Sequence, residues 1–235
     1  MEVKQRIDEL DWPQIAAGLD NKGYAQVKGV LTSDECEELK AGYANEQRYR
    51  KTVVMERHNY GKGEYKYFAY PLPALIQQLR ESVYPHLAPV ANNWMLQLNK
   101  EHAFPGSLDN LIALCHQQGQ VKPTALILKY EQGGYNAMHQ DLYGEVFFPM
   151  QLVFILDEPG KDYEGGEFVL TEQKPREQSR AIVLKPGKGD MLIFTTSFRP
   201  AKGLRGYHRV NMKHGVSELT EGKRHSMGII FHDAK

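Results

Sequence analysis

A histidine and an aspartate stand one residue apart in "NAMHQDLYGE": His139 and Asp141, shortly after the glycine turn of "EQGG". Nine histidines and ten aspartates in this chain give an expectation of about 0.4 for a chance His-x-Asp, so the spacing alone is a weak signal. Context strengthens it. If the segment is a strand, residues i and i+2 share a face. An imidazole and a carboxylate then sit side by side, and neither fills a core without a partner. Two ligands from one strand cannot hold a metal, so a third must come from elsewhere. Two histidines and one carboxylate on one octahedral face leave three positions open. That set suits non-haem Fe(II) with a cosubstrate and dioxygen.

The third ligand is sought in "KHGVSELTEGKRHSMGIIFH". His214 ends a strand-like run, a turn with Gly222 follows, and Arg224 starts the last strand. A turn centred near Leu219 would set His214 and Arg224 opposite each other on adjacent antiparallel strands, about 5 Å apart at Cβ. Arg224 would then receive the far carboxylate of a short diacid bound to the metal, in two parallel charge-assisted hydrogen bonds. Ser226, two residues on, shares that face and adds a donor. His208 has the same strand parity as His214 and is a rival for the third position.

The elements that must position these residues fall into two halves. Up to about residue 122 the pattern is mostly helical. "DWPQIAAGLDNKG" reads as a short helix closed by Gly23, and "YAQVKGVL" alternates like a strand. Thr32 with Glu35 three residues on is a capping pair that opens a helix to about Asn45. "LPALIQQLRESVY" is helical until Pro85, a separate run starts at Pro89, and "SLDNLIALCHQQG" ends at Gly119. From Pro123 onward, eight strand-like segments follow, separated by "EQGG", "EPGKDYEGG" and "PGKGD". That spacing predicts a sandwich or jelly roll, with the first-half helices on one outer face. The expectation is an α+β chain forming a single domain over 1–235. Its 1–122 part is a mainly helical support and its 123–235 part the jelly-roll catalytic core.

Composition adds limits. With 29 basic and 29 acidic side chains the net charge is zero, which argues for no particular partner. No apolar run reaches membrane-spanning length, and "MEVKQRIDELDW" has no signal-peptide pattern, so a cytoplasmic protein is expected. Cys36 and Cys115 fit that compartment as helix-filling residues without a disulfide.

Taken together, "LKYEQGGYNAMHQD", "EGGEFVLTE", "PGKGDMLIF" and "HGVSELTEGKRHSMGIIFH" resemble the Fe(II)- and 2-oxoglutarate-dependent dioxygenases, in particular their prolyl 4-hydroxylase-like branch. The resemblance covers about residues 123–235. It implies a double-stranded β-helix with Fe(II), 2-oxoglutarate as cosubstrate and O2, and release of succinate and CO2. It also implies that His139, Asp141 and His214 bind the iron and that Arg224 binds the 5-carboxylate of 2-oxoglutarate. Ser226 matches an Arg-x-Ser pair of some relatives, and Tyr130 stands near a tyrosine that in some of them reaches the cosubstrate. The tyrosine that several prolyl hydroxylases carry on the strand after His-x-Asp has no counterpart in "QLVFIL". The whole chain is also similar to a bacterial group of such oxygenases, which implies oxidative repair of damaged nucleic acid as an alternative to a peptidyl or small-molecule substrate. A jelly-roll module that binds metal or ligand without turnover is a third reading.

Two stretches bear on the substrate. Residues 174–225 hold twelve Lys/Arg against four Asp/Glu. Arg176, Arg180, Arg199, Arg205 and Arg209 are expected to form a positive rim that favours an anionic partner. "ERHNYGKGEYKYFAYPLP", residues 56–73, interleaves aromatic and basic residues. It reads as a surface loop or edge hairpin, or as a lid that contacts substrate.

Overall fold

The computed structural model describes residues 2–235. Two short helices, α1 (Val3–Asp8) and α2 (Trp12–Lys22), precede strand β1 (Tyr24–Val27) and helix α3 (Ser33–Ala41). Strands β2 (Tyr49–Val54), β3 (Gly61–Lys62) and β4 (Glu64–Phe68) follow, then helices α4 (Ala74–Gln97) and α5 (Leu108–Gln117). The rest is strand: β5 (Leu126–Glu131), β6 (Tyr135–His139), β7 (Met150–Ile155), β8 (Tyr163–Gly165), β9 (Phe168–Gln173) and β10 (Arg180–Leu184). The last four are β11 (Met191–Thr195), β12 (Phe198–Gly203), β13 (Gly206–Val216) and β14 (Leu219–Ile230).

The strands form two antiparallel sheets. The major sheet runs β1-β11-β7-β14-β5-β4-β2, with β8 also on β14; the minor sheet runs β10-β9-β13-β6-β3, with β12 on β13. Beyond β5 the chain crosses repeatedly between the sheets, with the consecutive pairs β9–β10 and β12–β13 inside the minor sheet, which is the winding of a jelly roll. Val153, Ile155, Phe168, Leu170, Leu192 and Phe194 pack between them. The helices cover the outer face of the major sheet through a second core that includes Ile76, Leu79, Trp94, Ile127, Phe154 and Ile229. Period-2 alternation thus serves both cores at once in β7 and β11.

The local signals explain most boundaries. The Thr32 hydroxyl accepts from Glu35 N, and the Glu35 carboxylate accepts from Thr32 N, closing the capping box that opens α3. Gly23 ends α2 in a left-handed conformation. Cys36 and Cys115 are free and buried, one in α3 and one in α5. Asp190, the last residue of "PGKGD", accepts from the backbone N–H of Gly29 and Gly187 and from Gln26 Nε2, each at 2.9 Å. That carboxylate staples the turn before β11 to the strand beside it.

Three expectations fail in instructive ways. The two helices proposed around Pro85 and Pro89 are one 24-residue helix, α4. Both prolines lie four residues apart on the exposed face. Water can satisfy the carbonyls they leave free, while Leu79, Val83, Leu87, Ala91 and Trp94 stay buried on the other face. Next, His214 and Arg224 are not neighbours across adjacent strands. β13 pairs β6, β9 and β12, whereas β14 pairs β5, β7 and β8, so the short connection at Ser217–Glu218 crosses from one sheet to the other. Gly222 is not a turn; it lies inside β14, where an added Cβ would fall 2.1 Å from Asp162 O. Finally, residues 56–73 are not a loop or an edge hairpin as a whole, because β4 is an interior strand between β5 and β2.

Candidate metal centre

His139 is the last residue of β6, and its Cα partner in β13 is His214. Direct opposition across an antiparallel ladder brings the two imidazoles to a ring-centroid distance of 4.1 Å. Asp141 lies just past the end of β6, so the shared strand face expected for His139 and Asp141 does not hold. The chain turns after His139, where the Gln140 amide donates to Ser197 O and Met212 O. The turn still delivers the carboxylate: Asp141 Oδ1 is 3.7 Å from His139 Nε2, and Oδ2 is 3.2 Å from His214 Nε2. One ligand atom from each of the three lies within 4.8 Å of the others. His208 is not in this group; it opposes Ala201 in the β12–β13 hairpin, six residues along the same strand.

The protonation pattern suits a cation. The His139 Nδ1 contact to Ala137 O, at 2.7 Å, requires a proton on Nδ1. That leaves the Nε2 lone pair toward Asp141. Burial and the neighbouring His139 push the His214 imidazole below its ordinary value, toward the neutral form. Burial disfavours ionised Asp141, but the His214 hydrogen bond, the charge that either imidazole carries when protonated, and the Tyr143 hydrogen bond outweigh it and hold the carboxyl well below the usual range. Neutral imidazoles with an ionised carboxylate are the forms that bind metal.

A second layer grips Asp141. Tyr143 donates to Asp141 Oδ1 at 2.7 Å, and Tyr67 donates to Tyr143 at 3.1 Å. Burial, and then the Asp141 charge, raise the Tyr143 phenol far above its ordinary value, so it stays a donor.

The cluster opens on a cavity of about 890 Å³ between the sheets, which Arg224, Ser226 and Tyr130 also line. Arg224 and Tyr130 are paired across β14 and β5, and the guanidinium carbon is 5.7 Å from the Tyr130 ring centroid and 5.9 Å from that of Tyr163. Arg224 is 1% exposed. Nη1 donates to Ser226 Oγ at 3.2 Å, while Nε is buried without a hydrogen-bond partner. The Tyr130 hydroxyl is equally buried, with the Asn136 side chain as its near neighbour and no hydrogen bond of good geometry, and burial pushes its phenol up to about 12. A buried cation with no carboxylate beside it costs several kcal/mol. Lining a cavity, it marks a place for an anion.

The cavity also collects aromatics of the 56–73 stretch, together with two residues to which the sequence assigns no role, Gln151 and Tyr143. Tyr65 and Tyr67 share a face of β4, which the alternation in "EYKYF" signals. Gln151, with a buried and unpartnered Nε2, is the one polar residue in the apolar strand "MQLVFI". Tyr143 follows Asp141 by two residues. The expected positive rim is elsewhere. None of Arg176, Arg180, Arg199, Arg205 and Arg209 lines the cavity. Arg199 is buried against Glu172 at 2.6 Å, Arg180 approaches the same carboxylate at 3.4 Å, and Arg209 covers the Phe198 ring. The cations that do line it are Arg50, Lys51, Lys122, Arg224 and Lys235.

Comparison with known proteins agrees with this architecture. Residues 63–234 match the family model Oxygenase-NA, described as an oxygenase catalysing oxidative methylation of damaged DNA. Two uncharacterised proteins of Mycobacterium tuberculosis, from strains CDC 1551 and H37Rv, are 47% identical over 167 residues, covering 71% of this chain and 72% of each relative. Among solved structures, a Pseudomonas putida prolyl-4-hydroxylase superposes with a TM-score of 0.55 at 13% identity, over 95% of this chain and 99% of that one. A 2OG-Fe(II) oxygenase-family oxidoreductase of Burkholderia pseudomallei gives 0.53 at 15%, over 96% and 94%. These two likenesses establish the fold, the jelly roll expected from the strand count. The match over most of the chain establishes the kinship and stands against a module without turnover: this protein belongs to the Oxygenase-NA family of oxygenases.

Proposed function

We propose that the protein is an Fe(II)- and 2-oxoglutarate-dependent dioxygenase that hydroxylates a substrate held in the cavity. The observation that carries this reading is the meeting of two features in one cavity, contributed by opposite sheets: a three-ligand cluster and a buried guanidinium with no carboxylate paired to it among the described residues. His139 Nε2, His214 Nε2 and one Asp141 oxygen fit Fe(II). Arg224, Ser226 and the Tyr130 hydroxyl fit the distal carboxylate of 2-oxoglutarate, which would satisfy the buried Arg224 Nε and Tyr130 Oη. When bound, the iron and cosubstrate supply the oxidising chemistry, with succinate and CO2 as co-products. The chain's own contribution is positional. Tyr143 fixes the Asp141 carboxylate, the Ala137 carbonyl fixes the His139 tautomer, and Phe168 and Phe194 wall off the His214 ring.

The test is succinate release from 2-oxoglutarate with Fe(II), with peptides, free amino acids and alkylated oligonucleotides compared as substrates. Asp141→Ala and His139→Ala are expected to abolish it. Full-rate release by either variant contradicts the metal assignment.

A second reading makes damaged nucleic acid the substrate. The family description favours it, as does the cavity lining. Tyr60, Tyr65 and Tyr143 offer rings on which a base can stack, beside the cations named above. Oligonucleotide-dependent succinate release, with peptides inert, is the result this reading requires.

A further inference from the structure

Arg50 and Lys51 are consecutive in β2, and consecutive residues of a regular strand face opposite ways. Both nevertheless line the cavity. The ladder with β4 explains this: Tyr49 pairs with Phe68 and Lys51 with Tyr67, so Arg50 is an extra residue with no partner in the register. Such a bulge re-aims a side chain and is over-represented beside active sites.

The re-aimed guanidinium sits over the Tyr67 ring, 4.4 Å from its centroid, and Arg50 Nε donates to Pro123 O at 2.8 Å. That bond draws Arg50 against the segment that carries Lys122, a third cation of the lining. No carboxylate pairs with Arg50, Lys51 or Lys122 among the described residues, whereas Lys235 faces Glu145 at 3.6 Å. Asp141 is the one carboxylate among the described lining residues, and it is taken up by the two histidines and Tyr143. Three cations without an ion pair among the described residues therefore line the cavity, and Arg50 reaches the His139–Asp141–His214 cluster through Tyr67 and Tyr143. Arg50 retains its fork of Nη donors, the group suited to phosphate oxygens.

We propose that Arg50, Lys51 and Lys122 form a phosphate subsite, one cation to each of three consecutive phosphodiesters beside the oxidised nucleotide of a single strand. The proposal rests on the nucleic-acid reading and adds the element that holds the strand. The Tyr67 ring under Arg50 keeps the guanidinium plane in place for the phosphate.

The experiment is fluorescence-anisotropy titration of the full chain with a labelled single-stranded thymidine decamer at several salt concentrations. Thymidine and thymidine 5′-monophosphate serve as competitors. Three phosphate contacts predict a log–log salt slope of about −2. Arg50→Gln and Lys51→Gln are each expected to weaken decamer binding about tenfold and to flatten the slope by about 0.7. Arg50→Lys, which keeps the charge, is expected to retain most of the slope. Lys51 is exposed, so its substitution leaves the fold intact and keeps the test decisive. Unchanged decamer affinity and slope in both Gln variants overturns the subsite while the nucleic-acid reading stands. A wild-type chain that binds neither decamer nor monophosphate at low salt overturns both. Equal affinity for monophosphate and decamer overturns the strand as occupant. Succinate release, measured separately on the wild type, keeps the reaction class apart from all three outcomes.

Discussion

Tyr143 donates its phenolic proton to Asp141 Oδ1 at 2.7 Å, while Oδ2 of the same carboxylate faces His214. The tyrosine therefore fixes the orientation of the carboxylate, with Oδ1 toward His139 and Oδ2 toward His214. Partners of this kind are worth roughly 10–100-fold in metal affinity. Tyr143→Phe is expected to weaken binding of Mn(II) or Co(II) by about that factor in calorimetric titration. Tyr67→Phe, one hydrogen bond further out, is expected to cost less.

Arg224 is buried with one hydrogen bond to Ser226 and an unpartnered Nε. Charge-assisted hydrogen bonds contribute about 1.5–3 kcal/mol each, so losing a bidentate grip costs roughly two orders of magnitude in affinity. Arg224→Gln is expected to raise the KM for 2-oxoglutarate about 100-fold or more, read from succinate release. Ser226→Ala is expected to raise it several-fold.

The "EGG" turn before β9 controls the same arginine. Gly166 has φ +61°, and a Cβ there would lie 2.4 Å from Leu219 Cδ1 and 3.1 Å from Arg224 Cδ. Gly166→Ala combines left-handed strain with overpacking, each costing about 1–3 kcal/mol. Chemical denaturation is expected to show destabilisation of about 2–6 kcal/mol, together with a raised KM for 2-oxoglutarate.

His232 supplies a pH dependence of stability. Its Nδ1 accepts from Phe148 N at 3.1 Å, and burial pushes its pKa from 6.5 down to about 4. Above pH 6.5 the ring is neutral in folded and unfolded chains and contributes no slope. Between pH 6.5 and about 4 the unfolded chain takes up the proton and the folded chain does not. Stability then falls by at most about 1.4 kcal/mol per pH unit from this group. His232→Asn is expected to flatten the fall of unfolding free energy over that window relative to wild type, measured by urea titration at pH 7 and pH 5.

How much of this was legible in the sequence depended on how local the cause was. The capping box at Thr32 and Glu35, the Gly23 stop and the eight later strands are written in neighbouring residues, and the structure contains them. The His139–Asp141–His214 cluster was legible as a set of residue types, but not the route that assembles it. Asp141 arrives from a turn past the strand end, and Arg224 arrives from the opposite sheet rather than the adjacent strand. A connection of two residues between β13 and β14 looks like a hairpin in one dimension. Whether it pairs its strands or crosses between sheets is decided by their other neighbours, β6 and β9 for one, β5 and β7 for the other. The cationic wall was misplaced for a similar reason. A local excess of Lys/Arg over 174–225 marks residues that mostly face Glu172, Phe198 or solvent. Apart from Arg224, the cavity's cations come from positions 50, 51, 122 and 235, which only the fold collects.

The central claim is that His139, Asp141 and His214 hold one Fe(II) within reach of 2-oxoglutarate anchored by Arg224. Anaerobic addition of Fe(II) and then 2-oxoglutarate, followed by visible absorption, tests it most directly. The expected result is a weak charge-transfer band that saturates at one iron per chain and is lost in Asp141→Ala and His214→Ala. No band in the wild-type chain, or an undiminished band in either variant, would contradict it.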